Sequence, residues 1–189
     1  WGTAAFREVT AVKLRLLLAE LALGLHVLYL DVDVVIFRDL LPGLLALPSR
    51  DIYLQSDERL FDTNSVTNFC TGVIFAAPSV GATELLRCSL RKASPRKAAG
   101  ASERRVPNDQ DALNGCIFRA RGGWRHGVLD PSDYPNGYRF FKSRAQCARA
   151  PALVHNNYAI GQQIKKRRFV KTGLWLVNTS LTLKTLDQE

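Results

Sequence analysis

Two aspartates one residue apart, Asp31 and Asp33, stand directly after the apolar run Val27-Leu-Tyr-Leu30. The run is continuous rather than alternating, the pattern of a central strand covered on both faces. Side chains along a strand repeat every two residues, so both carboxylates can project the same way from its carboxyl end. In open α/β sheets that end is where ligands bind. Carboxylates held so close repel one another, and one would take up a proton unless a cation lay between them. The pair therefore predicts a divalent-metal site holding a phosphorylated substrate; the alternative is a pair of helix caps or turn formers.

The neighbouring sequence supplies elements that could position such a site. Thr3 can cap a helix running to about Leu23, stopped by Gly24. After the carboxylates, residues 34–37 read as a second extended piece, and Asp39 can cap a short helix broken by Pro42 and Gly43. Strands are expected at 51–55 and 71–75, separated by a polar loop over 57–68. Helices are expected at about 80–91 and 109–116, with a mobile Ala-, Gly- and Lys/Arg-rich stretch at 94–105 between them. Short strands around 124–129 and 139–141 would flank a turn at Pro135-Asn-Gly137. Residues 152–155 read as a strand end and 162–172 as a basic helix stopped by Gly173; the last dozen residues carry no signal. Strands alternating with helices make the fold class α/β.

The 189 residues suffice for one domain with a core. The absence of methionine is expected of an internal piece of a longer chain, or of a processed one. The longest apolar stretches are interrupted by Glu20 and by the aspartate pair, so no membrane segment is expected. Charge is uneven: residues 95–189 carry 17 Lys and Arg against 7 Asp and Glu, while residues 1–94 are almost balanced. A basic half suits a phosphorylated ligand, an anionic surface or plain solvation. The cations lack interleaved aromatics and no nucleic-acid module is present, so no nucleic-acid partner is expected. Cys70, Cys88, Cys116 and Cys147 show no metal-ligand spacing, and their pairing is open.

Two enzyme classes compete for the aspartate pair. Asp31-Val-Asp-Val-Val-Ile36 resembles the opening motif of haloacid dehalogenase-type phosphohydrolases, with Asp31 as nucleophile and Asp33 as acid–base. That mechanism also needs a later Lys and a distal acidic pair, for which only Asp130 and Asp133 offer themselves. The second resemblance is broader. The stretches 24–39 (GLHVLYLDVDVVIFRD), 71–75 (TGVIF), 108–114 (NDQDALN), 134–137 (YPNG) and 155–161 (HNNYAIG), followed by Lys165 and 173–175 (GLW), resemble in the same order the nucleotide-diphospho-sugar transferases of glycosyltransferase family 77.

That resemblance implies a GT-A-like, mixed and mainly parallel sheet flanked by helices, incomplete at its amino terminus. The domain would cover residues 1–175, with a tail at 176–189. It implies a retaining transferase that moves a sugar from a nucleotide diphosphate, UDP in the first instance, to a hydroxyl of a glycan or glycoprotein in the Golgi lumen. Asp31, Asp33 and His155 would hold Mn²⁺, a set of oxygen and imidazole ligands that suits this ion. Gly161 would admit a backbone close to the diphosphate and Lys165 would neutralise it. Lys13, Thr71, Gly72 and Asn157 would line the donor site, and Asp109 and Gln110 would face the transferred sugar as the catalytic pair. Where many relatives carry Asn, this chain has Cys70, a poor hydrogen-bond partner. An inactive glycan-binding paralogue is the non-enzymatic alternative.

Overall fold

The computed structural model describes residues 4–59, 66–93, 107–119, 122–142 and 150–177. The proposed cap Thr3, the 94–105 stretch, Cys147 and the tail from 178 lie outside them. The chain runs α1 (Ala4–Ala22), β1 (Val27–Leu30), β2 (Val34–Ile36), α2 (Leu41–Leu45), β3 (Ile52–Ser56) and β4 (Phe69–Ala76). It continues through α3 (Val80–Ala93), α4 (Asp109–Arg119), β5 (His126–Val128), α5 (Gly137–Lys142), β6 (Leu153–His155) and α6 (Gln162–Lys171).

β1, β4, β3 and β5 form one sheet in that order, and β2 leaves it to pair with β6. The mixed sheet flanked by helices is as expected, but parallel pairing does not predominate among the described strands. β1–β4, β3–β4 and β2–β6 are antiparallel, and only β3–β5 is parallel. For β3 and β4 the antiparallel pairing means that the chain doubles back beside the strand it has left.

β4 is buried along its whole length and separates two clusters. Ile74 and Ala76 join Leu14, Leu17, Leu85, Leu86 and Leu113 from the helices α1, α3 and α4. Val73 and Phe75 point the other way, to Leu44, Leu129, Tyr134 and Leu153. The period-two alternation of a strand thus sorts one sequence into two cores. β1 follows the same rule, with Val27 and Tyr29 against the first cluster and Leu28 and Leu30 against the second. It is nonetheless half-buried and ends the four-stranded order, so the central strand is β4, not β1 as its apolar run suggested.

One element changes type. Residues 139–141 are helical, within α5, rather than a strand after a hairpin turn. Asn136 explains it: its Oδ1 accepts the Arg139 N–H at 3.0 Å and its carbonyl accepts the Phe140 N–H at 3.1 Å. Asn-Gly here caps a helix rather than closing a hairpin. Gly24 and Gly173 end α1 and α6 with φ of 77° and 71°, the left-handed conformation a helix stop requires. A disulfide joins Cys88 on α3 to Cys116 on α4, whereas Cys70 is free and buried. Among the described residues no helix is long and apolar enough to cross a membrane.

Candidate active site

The short β2–β6 ladder makes the site. Val34 pairs with His155, and the Asn156 N–H donates to the Asp33 carbonyl at 2.9 Å, which locks the two segments in register. The Asp31 N–H donates to the Gly72 carbonyl at 2.8 Å and ties the carboxyl end of β1 to β4. As a result His155 Nε2 lies 3.6 Å from Asp31 Oδ2 and 3.4 Å from Asp33 Oδ1. One ligand atom from each of the three residues falls within 4.8 Å of the others. Residues more than 120 positions apart in sequence thus meet around one point, as the family resemblance required.

The set fits a divalent cation on two grounds. Two carboxylate oxygens and an imidazole nitrogen are ligands that Mn²⁺ accepts. The backbone also leaves room: a Cβ on Gly72 would stand 2.1 Å from His155 Cε1 and 2.7 Å from Asp31 Oδ2, so any larger residue would push into the ligands. A glycine is needed here for close approach, which the sequence could not tell from an ordinary strand glycine.

Gln55, fully buried on β3, sets the histidine. Its Nε2 donates to the Tyr134 and Pro135 carbonyls at 3.0 and 3.1 Å, so its Oε1 must be the end 2.9 Å from His155 Nδ1. Nδ1 therefore carries a proton and Nε2 is the nitrogen that can bind a metal. Burial disfavours a charged His155, yet Cys70 and Asp33 outweigh it and raise its pKa to about 10. Burial likewise pushes Asp33 upward, but His155 and Lys165 hold its carboxyl well below the usual carboxylate range. Without an ion the imidazolium partly offsets the two acids; a cation would take the place of that proton.

Beside this group lies a second, closed one. Lys13 Nζ sits 2.6 Å from Asp109 Oδ2 and donates to the Thr71 carbonyl at 2.9 Å. Thr71 Oγ1 donates to the same Asp109 oxygen at 2.7 Å. Lys13 also stands 3.7 Å from Asp31 Oδ1 and 4.8 Å over the Tyr29 ring, while the Tyr29 hydroxyl donates to Asp31 Oδ1 at 2.8 Å. Asn108 starts α4 by accepting the Asp111 N–H at 2.8 Å. Asn114 grips β4 through the N–H and the carbonyl of Phe69, the packing role its helical position suggested.

The expected residues Lys13, Asp31, Asp33, Thr71, Gly72, Asp109, Gln110, His155, Asn157 and Lys165 line one cleft of about 580 Å³. Gly161 is not part of the lining. A Cβ there would meet no protein atom within 4 Å, and its φ of 88° lies in the left-handed region that favours glycine. Lys165 Nζ reaches Asp33 Oδ2 at 2.7 Å. Asn157 has both ends of its amide engaged, Oδ1 by the Gly137 N–H at 2.6 Å and Nδ2 by Asp57 Oδ1 at 2.9 Å.

Asp57, in a segment read only as a loop, was missed. Its Oδ2 accepts from Gln110 Nε2 at 3.0 Å, so it orients two cleft amides, and burial raises its pKa despite those donors. Its place just after a buried strand was the one available signal. Asp130 and Asp133, the distal acidic pair a phosphohydrolase would need, are not in the cleft; Asp133 Oδ1 instead accepts from Arg38 Nη2 at 2.7 Å.

A carboxylate–histidine group at strand ends, with lysines facing the same cleft, is an arrangement able to hold a divalent cation beside an anionic ligand. A profile of the family described as nucleotide-diphospho-sugar transferase matches residues 1–169, and the chain belongs to that family. It is 32% identical, over 94% of its length and 53% of the relative's, to UDP-D-xylose:L-fucose alpha-1,3-D-xylosyltransferase 1 of Arabidopsis thaliana. It is 30% identical to a beta-arabinofuranosyltransferase of the same plant, over 97% of this chain and 36% of that one. It is 24% identical to the UDP-galactose:fucoside alpha-3-galactosyltransferase of Dictyostelium discoideum, over 94% and 29%. Among solved structures it is similar to the glycosyltransferase GlyE of Streptococcus pneumoniae TIGR4, with 20% identity and a TM-score of 0.47 over 82% of this chain and 40% of that one. The chain spans about half the length of the xylosyltransferases it matches.

Proposed function

We propose that the chain is part of a metal-dependent, retaining glycosyltransferase that moves a sugar from a UDP-linked donor to a glycan hydroxyl. The observation that carries this reading is the convergence of Asp31, Asp33 and His155 beside Lys165 in one cleft. The reaction breaks the bond from the sugar C1 to the diphosphate oxygen, leaving the electron pair on UDP. A new bond joins C1 to the acceptor oxygen, and the acceptor proton passes to the departing diphosphate or to water. Bound Mn²⁺ would supply Lewis-acid neutralisation of the diphosphate.

The protein's own groups do the rest. Lys165 lies one turn into α6, so its ammonium and the unpaired N–H groups at the helix start can face the same diphosphate. Asp109 is held by Lys13 and Thr71 through one oxygen, leaving the other for a sugar hydroxyl. Gln110, anchored by Asp57, offers its carbonyl oxygen beside it. The acceptor is a fucoside in this reading. The xylosyl- and galactosyltransferase relatives are named for different donors but share fucose as the acceptor. The disulfide between α3 and α4 suits an oxidising compartment, in keeping with the Golgi lumen.

The test is a panel of UDP-sugars with Mn²⁺ and methyl α-L-fucoside on the full-length protein, reading UDP release. Release that chelator abolishes supports the proposal. Glycan binding that ignores chelator and survives Asp33→Ala, with no release from any donor, would show a binding protein instead.

A further inference from the structure

The loop between β6 and α6 places Tyr158 and Ile160 in the cleft, whose lining also holds the exposed Val9 and Val32 among charged, hydroxyl and amide groups. Tyr158 is 39% exposed and Ile160 is 73% exposed, and both line the same cleft as the Asp31, Asp33 and His155 group. Solvated apolar side chains at a sugar-transfer site call for an apolar partner on the ligand.

The loop is not a loose rim. Tyr158 has a φ of 55°, in the left-handed region that an aromatic residue seldom occupies. Several contacts hold it there. The Tyr158 hydroxyl donates to the Asp57 carbonyl, and Arg168 donates from Nη1 to the Asn157 carbonyl at 3.0 Å and from Nη2 to the Tyr158 carbonyl at 3.1 Å. The Tyr138 ring packs at 5.7 Å from that of Tyr158. A loop fixed at so many points presents its ring and its aliphatic side chain in one arrangement before any ligand arrives, which is what discrimination between similar ligands requires.

We infer that Tyr158 and Ile160 form the acceptor-side wall of the cleft and select a 6-deoxyhexoside by the methyl group at C6. This rests on the transferase reading above and adds which residues choose the acceptor. A sugar offers one polar rim of hydroxyls and one face of C–H bonds; a 6-deoxy sugar extends that apolar face by a methyl where other hexoses carry CH2OH. The face and methyl pack on the ring and on Ile160, while Asp57, whose carbonyl accepts the Tyr158 hydroxyl, and its partner Gln110 line the same cleft for the hydroxyl rim. An added hydroxyl at C6 would lose its water against these two side chains without gaining a partner.

The test compares methyl α-L-fucoside with methyl α-L-galactoside, which differs from it only by the C6 hydroxyl. The full-length protein is supplied with Mn²⁺ and with UDP-xylose or UDP-galactose, and transfer to each acceptor is measured. The expected preference in kcat/KM is about tenfold to a hundredfold for the fucoside, the range one such group supplies in an apolar pocket. Tyr158→Phe should keep the preference, whereas Tyr158→Ala and Ile160→Ser should each reduce it severalfold, mainly by raising the KM for the fucoside. Ile160 is exposed, so its variant does not depend on refolding the core. Transfer with no preference, or a preference that neither Tyr158→Ala nor Ile160→Ser changes, overturns this inference alone. Absence of UDP release from every donor overturns the transferase reading and this one with it.

Discussion

Two groups of acids flank the same cleft and are balanced in opposite ways. Asp109 is buried against Lys13 and Thr71, with one cation and one hydroxyl on the same carboxylate oxygen. Asp31 and Asp33 face one another across His155; Lys165 bonds to Asp33, and Asp31 has the Tyr29 hydroxyl and, at 3.7 Å, Lys13. The first group is complete within the protein, so it fixes geometry. The second has the His155 imidazolium and Lys165 as positive partners, but its three ligand atoms converge on one point, where an ion can displace the imidazole proton. The same residue types give a brace in one place and a binding site in the other. What separates them is convergence: in the second group one oxygen of each acid and an imidazole nitrogen lie within 4.8 Å of one another.

The sharpest way to break this contrast is to remove one acid from the open group. Asp33→Ala should weaken Mn²⁺ binding by at least about a hundredfold, beyond the effect of losing a supporting residue, and abolish sugar transfer with little loss of fold. Isothermal titration together with UDP release reads both. An unchanged affinity would mean that the three residues do not share an ion.

Next in size is the closed group. Lys13→Met keeps the length of the side chain but strands Asp109 in the interior, and should destabilise the protein by about 3–5 kcal/mol in urea unfolding. Loss of activity at unchanged stability would instead place Lys13 with the substrate rather than in the brace.

Gln55→Met tests the support of the histidine. It frees the imidazole to rotate and should cost about ten- to a hundredfold in Mn²⁺ affinity while leaving all three ligands in place. An affinity within twofold of the native one would show that packing alone orients His155.

The smallest expected effect is on pH. The pKa of His155 in the metal-free fold is raised from its ordinary value of 6.5 to about 10. Its contribution to stability is therefore fully present below about pH 6.5 and is lost as pH rises through about 10. The metal-free melting temperature should fall across that window, and His155→Gln should flatten the fall. Mn²⁺ binding should show the opposite trend, strengthening with pH, and should release a proton at neutral pH that calorimetry in two buffers can count. A metal-free melting curve that rises from pH 7 to 10 would contradict the charged imidazole.

Much of this site was legible in the residues because each carried a local signal. An apolar run ended in paired acids, an Asp-Gln pair opened a helix, and a His stood before a glycine-started basic helix. The family resemblance gathered those signals into one cleft, and the ladder of Val34 with His155 is the contact that joins them. Gly161 stands at the start of α6 with a φ of 88°, a second reason for glycine that the sequence did not show. Asp57 and Gln55 escaped notice because a polar residue after a strand, or one amid apolar neighbours, looks the same whether it faces water or a buried partner.

The sequence by itself determined the periodicities, and through them most of the helices and strands, the helix stops at Gly24 and Gly173, and the types of group able to hold a cation. Only the tertiary structure decided which strand is central, that residues 139–141 coil into a helix, and that Cys88 rather than Cys70 meets Cys116. It alone decided that one aspartate would be closed off by a lysine and a threonine and that two others would converge with an imidazole. Local propensity acts over a few residues, whereas the protonation and pairing of a carboxylate depend on whatever charges and donors the fold carries to within a few ångströms of it.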